Sequence, residues 1–392
     1  MSLHTEHLKW LIGPEGHQSI LTAMNDAAEW RKHSKRLPAD RAALVAEQAE
    51  LRQRAAAKFP LHDQMFFTRI GLQQATDAMI ATYKANRFRG HAVVADYCCG
   101  IGGDLIHFAQ VSEACGFDLD PDRVLLANAN CKAAGVNATA RVADVCALDT
   151  RDVSAWHIDP DRRATGNRTV RIDAFQPSAE AITRMLQRNV NGAIKLAPAT
   201  PTDDLEWATD VDLEWIGHSR SCQQLVAWFG GLVQHANQRV ATVIDNQGNT
   251  ISFASVDESA PAAEEVGAFV FEPHPTILAA GLAGAISNRL NLQTLIPGGG
   301  YLTAATLVDS KDDAARFLTA FRVLESDSFR PKRIRKRLQE LNAGIVEVKQ
   351  RGVKVDLATL QRQWRGSGES NLTVLITRRG KSMIAIIAER VV

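Results

Sequence analysis

The sequence predicts a doubly wound α/β core, preceded by a helical N-terminal domain and followed by a small α+β C-terminal domain. Three observations predict it. Short apolar runs at 93–97, 114–118, 139–143, 154–158 and 192–197 alternate with helical stretches at 104–112, 121–134 and 178–189, the pattern of βαβ units on a parallel sheet. The first run ends in an acid and passes at once into a glycine-rich turn, Asp96-Tyr-Cys-Cys-Gly-Ile-Gly-Gly-Asp104. Charge is also uneven: the chain of 392 residues has a net charge of +1, yet residues 330–392 hold fifteen Lys and Arg against five Asp and Glu. That length suits two or three domains, here 1–88, 89–320 and 321–392.

Taken in order, Ala, Glu, Gln, Arg and Leu dominate 40–57, and apolar residues recur at helical spacing through 70–83, with Pro60 between; both stretches read as helix. Met65-Phe66-Phe67-Thr68-Arg69 lies between them and reads, at its plainest, as helix packed on the next domain. After the βαβ units, 212–217 and 224–230 read as an antiparallel hairpin closing the sheet, and 239–245 with 250–256 as a second hairpin around Asn246-Gln-Gly-Asn249. Residues 257–265 read as an acidic loop, 276–290 as a helix and 297–300 as a loop. Pro331 can open a helix because its missing N–H costs nothing in the first turn. That helix carries Lys332, Arg333, Arg335, Lys336 and Arg337. Residues 346–349, 353–355, 372–377 and 383–389 follow as strands, with a helix near 357–364.

Composition sets limits. No apolar run approaches the ~20 residues that span a bilayer, and the N-terminus lacks the apolar core of a signal peptide, so a cytoplasmic protein with no membrane partner is expected. Six scattered cysteines, with no C-x-x-C pair, fit a reducing compartment and give no zinc site; no metal is expected. No feature sets an oligomeric state. The basic tail reads as a dock for a polyanion such as RNA or as a solvated surface.

The chemistry concentrates at strand ends, where open parallel sheets bind ligands. Gly100, Gly102 and Gly103 let the backbone bend and approach a ligand closely. A dinucleotide fingerprint G-x-G-x-x-G fits Gly100 and Gly102, but Leu105 stands at the third glycine. The spacing Asp96-x-Cys98-x-Gly100-x-Gly102 fits the pattern for S-adenosylmethionine (SAM) better, with Cys98 in place of the usual first glycine. The peptide at Cys98 is therefore expected to bend without positive φ. Asp118, 22 residues after Asp96, can accept from a ribose diol, and Asp144 from an adenine amino group. Each acid alone also reads as a helix N-cap; four at successive strand ends (Asp96, Asp118, Asp144, Asp159) point to one nucleotide. The fourth end, Ile158-Asp159-Pro160-Asp161-Arg162-Arg163, offers Asp159 to orient an amino nucleophile and Arg162 and Arg163 to hold a phosphate; a turn cap with solvated arginines is the plain alternative. His274, in Glu272-Pro-His-Pro275, is a weak candidate proton acceptor. Cys98 and Cys99 are weak candidate nucleophiles, better read as small residues in a tight turn. Trp215 reads either as a face for a base or as a core residue.

These motifs resemble a family of bacterial class I SAM-dependent methyltransferases with a C-terminal THUMP-like domain, and the core resembles the trimethylguanosine synthase group. The basic segment from Pro331-Lys-Arg-Ile-Arg-Lys336, through Lys349-Gln-Arg-Gly-Val-Lys-Val-Asp356, to Leu375-Ile-Thr-Arg378 resembles the THUMP-like domain itself. The resemblance runs from about Phe59 to the end. It implies a class I methyltransferase sheet and SAM as cofactor, held by Asp96, Tyr97, Cys98, Gly100, Gly102, Asp118, Asp144 and Asp159. It also implies catalysis at Asp159-Pro160 and a segment with Phe67 and Thr68 folding over SAM. THUMP-bearing enzymes act on RNA, which makes Lys332, Arg333, Arg335, Lys336, Arg337, Arg162 and Arg163 candidate RNA contacts. The chain departs from the exocyclic-amine methylases in one respect. They follow Asp-Pro with a second Pro and an aromatic residue, whereas Asp161 and Arg162 follow here, which removes a stacking face worth about 1–3 kcal/mol and leaves the base unspecified. The expected activity is methyl transfer to a base nitrogen of RNA. A small-molecule or protein acceptor, or a non-catalytic RNA-binding protein with a vestigial SAM site, are the alternatives.

Overall fold

The computed structural model describes residues 3–161, 175–202, 210–296 and 300–391. Arg162 and Arg163, and most of the loop expected at 297–300, lie outside the described residues. The chain divides into two compact units, Met1–Asp212 with Gln224–Ala236, and Leu213–Gln223 with Asn237–Val392.

The first unit opens with six helices: α1 (Leu3–Ile12), α2 (Pro14–Asn25), α3 (Ala27–His33), α4 (Ala39–Ala55), α5 (Arg69–Gln74) and α6 (Ala78–Asn86). Side chains cap several of them, as polar N-cap residues should: Asp26 accepts from Ala28 and Glu29, Thr68 from Gly71, and Asp77 from Met79. Between α4 and α5, residues 65–68 are not helical. The cause is long-range: amide side chains from α4 and from a later helix take up the backbone groups that a helix would pair internally.

The parallel strands follow where the apolar runs predict them: β1 (Val93–Tyr97), β2 (Glu113–Asp118), β3 (Ala138–Val142), β4 (Ala155–Ile158) and β5 (Gly192–Leu196). Among the described residues three α-helices lie between them in sequence, α7 (Leu105–Phe108), α8 (Pro121–Ala133) and α9 (Ala179–Arg188). Helix α7 is shorter than expected, because residues 109–112 leave it in a turn closed on the Phe108 carbonyl. Of the next two strands, β6 (Asp212–His218) and β7 (Ser221–Trp228), β7 adds antiparallel to β5. Within this unit the order is β3-β2-β1-β4-β5-β7. The order therefore reverses between β1 and β4, the switch point at which such sheets bind ligands. Trp156, Tyr97, Phe88, Phe108 and Trp228 are fully buried in its core.

In the second unit β6 pairs parallel with β8 (Arg239–Ile244), which forms the expected hairpin with β9 (Thr250–Ser255). The stretch expected as one helix is two, α10 (Pro275–Ala279) and α11 (Ala283–Arg289), divided at Gly281 with φ +70°. A seven-stranded sheet completes the unit. Its strands are β10 (Phe269–Pro273), β11 (Gln293–Thr294), β12 (Leu302–Ala304), β13 (Leu318–Ser328), β14 (Ala343–Gln350), β15 (Ser370–Arg379) and β16 (Ser382–Arg390), in the order β11-β12-β10-β13-β16-β15-β14. Helices α12 (Pro331–Glu340) and α13 (Leu357–Trp364) contribute Ile334, Leu338, Leu360 and Trp364 to a core with Val346, Val374 and Ile387. Residues 353–355 are not a strand. Gly352, at φ +65°, turns the chain, and Val353 and Val355 pack on that core from a loop.

One buried ion pair joins the end of the first unit's helical region to Asp212. Arg87 Nη1 lies 3.1 Å from Asp212 Oδ2, and its guanidinium sits 4.4 Å from the centroid of the Trp228 ring. Both side chains are shielded, and Asp212 also accepts from the Gln234 and His235 backbone N–H groups. Breaking a buried pair strands the remaining charge, so Arg87→Met is expected to lower unfolding free energy by about 3 kcal/mol, measured by urea denaturation.

Candidate functional site

The site is built around the turn after β1. Cys98, Gly100 and Gly102 have φ of +58°, +56° and +85°. Cys98 thus adopts the left-handed conformation that the sequence reading denied it. A non-glycine residue there costs roughly 1–2 kcal/mol, and its neighbours hold it: the Cys99 N–H bonds to the Phe117 carbonyl at 3.0 Å, and the Gly100 N–H bonds to Asp118 Oδ2 at 2.9 Å. A Cβ on Gly100 would meet nothing within 4 Å, so the backbone there borders open space. Burial pushes the Cys98 and Cys99 thiols well up; both stay protonated and serve as packing, not as nucleophiles.

Asp118 is buried at the end of β2, and its second oxygen accepts from the Asp120 N–H at 3.0 Å. Leu119 beside it is 64% exposed, as is Val142, at 54%, at the end of β3. Asp144 is exposed and caps a short turn through the Cys146 N–H. A carboxylate, two bare aliphatic side chains and an acceptor therefore gather at adjacent strand ends. Asp120 caps α8 through Asp122 and Arg123, as the sequence suggests.

Tyr97 and Phe67 are placed differently from the other candidates. The Tyr97 ring packs on Phe117 and Trp156 in the core, and the Phe67 ring lies 5.6 Å from that of Phe59. The Thr68 hydroxyl is spent on capping α5. The segment holding Phe67 is nonetheless tied to the turn. Gln48 of α4 donates to the Phe67 carbonyl and accepts from its N–H, at 2.8 and 2.7 Å. Asn130 of α8 accepts from the Phe66 N–H and donates to the carbonyls of Phe66 and Ile101, at 2.7, 3.0 and 2.9 Å. Ile101 is part of the glycine turn, so one buried amide fixes both segments. Arg52 adds a bond to the Met65 carbonyl at 2.9 Å.

Beneath the turn lies a charged network that the sequence reading missed. Asp96 is 1% exposed; its Oδ1 lies 2.8 Å from His157 Nδ1, while its Oδ2 has no partner among the described residues. His157 Nε2 lies 3.2 Å from Lys84 Nζ, which sits 2.8 Å from Asp104 Oδ1, and Asp104 Oδ2 accepts from the Thr76 hydroxyl at 2.7 Å. Burial, reinforced by the Asp104 charge, pushes the Asp96 carboxyl well up. Burial, with the Lys84 charge, drives His157 well below the ordinary imidazole range, so the ring is neutral. Burial works against the Asp104 anion too, but the charges of Lys84 and Lys195 outweigh it and hold the group below the usual carboxylate range. Next to this network Asp159 Oδ2 pairs with Lys195 Nζ at 2.6 Å, and Pro160 is buried behind it. A sequence signal existed for one of them: Lys195 is a lone lysine inside an apolar run.

Two weaker candidates fall in the second unit. His274 bonds through Nδ1 to Thr276 and through Nε2 to the Ser219 carbonyl, which makes it a helix cap with both nitrogens engaged. Trp215 is buried, with the Arg239 guanidinium 5.5 Å from its ring centroid. On α12, Lys332 and Arg335 are exposed. Arg333 pairs with Asp327, Lys336 with Glu340, and Arg337 with both Glu325 and Glu340.

The reversed parallel sheet, with an acid-to-glycine turn at the switch point, defines a nucleotide-binding α/β protein. The donor set fits SAM: a buried carboxylate oxygen without a partner, open space over Gly100, and an acid beside exposed Leu119. Comparison with known proteins narrows the class. Residues 318–390 match the THUMP domain-like family. Two proteins from Mycobacterium tuberculosis, strains CDC 1551 and H37Rv, each named an uncharacterized S-adenosylmethionine-dependent methyltransferase, are 31% identical over 355 residues, covering 88% of this chain and 95% of theirs. A crystal structure of a methyltransferase candidate from Porphyromonas gingivalis W83 shares the fold, with a TM-score of 0.75, 19% identity, and coverage of 99% of this chain and 97% of that one. The chain belongs to the SAM-dependent methyltransferases. It is a class I enzyme that uses SAM and carries a THUMP-like domain at its C-terminal end.

Asn130→Ala would strand three buried backbone groups. It is expected to cost at least about 3 kcal/mol in a denaturant titration and to weaken SAM binding in calorimetry, because the Ile101 carbonyl of the turn loses its anchor.

Proposed function

We propose that this methyltransferase acts on RNA and transfers the methyl group to a base nitrogen oriented by Asp159. The observation that carries the reading is the Asp159–Lys195 pair at the end of β4, 2.6 Å between Oδ2 and Nζ, next to the turn that fits the cofactor. Bound SAM supplies a methyl group on a sulfonium sulfur, an electrophile that needs no acid to activate it. What remains for the protein is alignment, worth up to ~7–11 kcal/mol when nucleophile and methyl are held at near-attack distance. Lys195 anchors one oxygen of Asp159; the other is left to accept from an N–H of the incoming base, which points the nitrogen lone pair at the methyl. Asp118 would accept from the ribose, Asp144 from adenine, and Leu119 would cover the adenine face.

The RNA part of the reading rests on the THUMP-like region and on α12, whose exposed Lys332 and Arg335 suit phosphate oxygens. A small-molecule or protein acceptor is the second reading. What favours it is the pairing of Arg333, Lys336 and Arg337 with acids of their own unit, which spends part of the basic charge.

The deciding experiment is incubation with radiolabelled SAM and separated RNA, protein and metabolite fractions. Label in RNA supports the proposal; label confined to another fraction replaces it. Asp118→Ala is expected to weaken SAM binding about tenfold or more, whereas Asp159→Ala should bind SAM normally and turn over slowly. Lys332→Glu with Arg335→Glu should weaken RNA binding and flatten its salt dependence by a slope of about 2, with SAM affinity unchanged.

A further inference from the structure

The network under the glycine turn has a direction. An ammonium donates hydrogen bonds and cannot accept them; burial pushes Lys84 below the ordinary lysine range, and the Asp104 carboxylate, 2.8 Å away, opposes this and favours the charged form. His157 Nε2, 3.2 Å from that ammonium, must therefore present its lone pair. The single proton of the neutral ring then sits on Nδ1 and is donated to Asp96 Oδ1 at 2.8 Å. Asp96 receives this bond as an acceptor. Lys84 and Asp104 cancel, which leaves Asp96 as the carboxyl of the network with no charge opposite it, and its Oδ2 has no partner among the described residues.

We propose that Lys84 and His157 are positioning residues for the cofactor site: Lys84 fixes the His157 tautomer, and His157 holds Asp96 as an acceptor whose remaining oxygen receives a cationic N–H group of the cofactor. The proposal rests on the reading of the turn as the SAM site. It explains why a lysine from the helical region is wholly buried against the sheet, although a buried charge is costly and a leucine would pack there more cheaply. Burial by itself favours a protonated Asp96, which would donate rather than accept; the Nδ1 proton of His157 opposes that change. An inverted tautomer, with the proton on Nε2, would instead require a proton on Asp96 and remove the charge that a cationic ligand needs.

The test uses the full chain, labelled with ¹⁵N for imidazole spectra and titrated with SAM by calorimetry. Wild type is expected to show His157 as the neutral Nδ1–H tautomer. His157→Leu removes the donor and should weaken SAM binding about tenfold. His157→Asn keeps an N–H at the Nδ1 position and should bind within about threefold of wild type, a rescue that a merely space-filling role would not give. Lys84→Met with Asp104→Asn removes both charges together, which limits the folding penalty, and should shift His157 away from the Nδ1–H tautomer while lowering SAM affinity. Thermal melting confirms that each variant compared is folded; should the Leu variant fail to fold, the tautomer of wild type and the Asn variant decide. An Nε2–H tautomer or an imidazolium in wild type overturns the proposal. So does a folded Leu variant that binds SAM as wild type does. A wild type that gives no heat with SAM overturns the cofactor reading and this proposal with it.

Discussion

The parallel pairing of β1 with β4 is the constraint on which the site depends. Their register sets Asp96 opposite His157 and Tyr97 opposite Ile158. Because side chains alternate along a strand, that register decides which residues reach the charged network and which enter the apolar core. Asp96 and His157 meet over one face, while Tyr97 turns to Phe117 and Trp156. A slip of one residue would exchange the two sets. The same pairing creates the point where strand order reverses, so the glycine turn after β1 and the Asp159 segment after β4 end side by side.

Around that pair the molecule uses buried polar groups where apolar packing would be simpler. Gln48, Arg52, Lys84, Asn130 and His157 are all almost fully buried, each with hydrogen-bond partners distant in sequence. Such groups add little net stability, since desolvation offsets most of what they gain. What they provide is geometry. An amide that accepts from one backbone N–H and donates to two carbonyls tolerates only one arrangement of the chains it joins. The segment 65–68 and the glycine turn are fixed to one another in this way. The helical region is therefore part of the candidate site's framework and not a cover laid over it.

The parallel strands, the acid-to-glycine turn, the capped start of α8 and the basic helix α12 could be read from the chain because each is a local pattern. Alternating apolar runs, a glycine cluster or a proline at a helix start acts within a few residues. The misreadings share the opposite property. Cys98 reaches a positive φ because Phe117 and Asp118, on another strand, hold the two residues that follow it. Residues 65–68 are not helical because amides from α4 and α8 claim the backbone of Phe66 and Phe67. Residues 276–290 divide at Gly281, and 353–355 form a loop because Gly352 redirects the chain onto a core it still covers. In each case a distant partner or a single backbone angle overrides local propensity.

The sequence by itself determined the architecture class, the acid-to-glycine turn after β1 and the acids near the strand ends, since these follow from periodicity and from residue types that act where they stand. Only the tertiary structure decided that Lys84, His157 and Asp104 converge on Asp96, that Lys195 meets Asp159, and that His274 and Trp215 serve the scaffold. A lone lysine in an apolar run carries no address for its partner. Which buried charge it meets depends on strand order and register, and those are settled by the packing of the whole sheet.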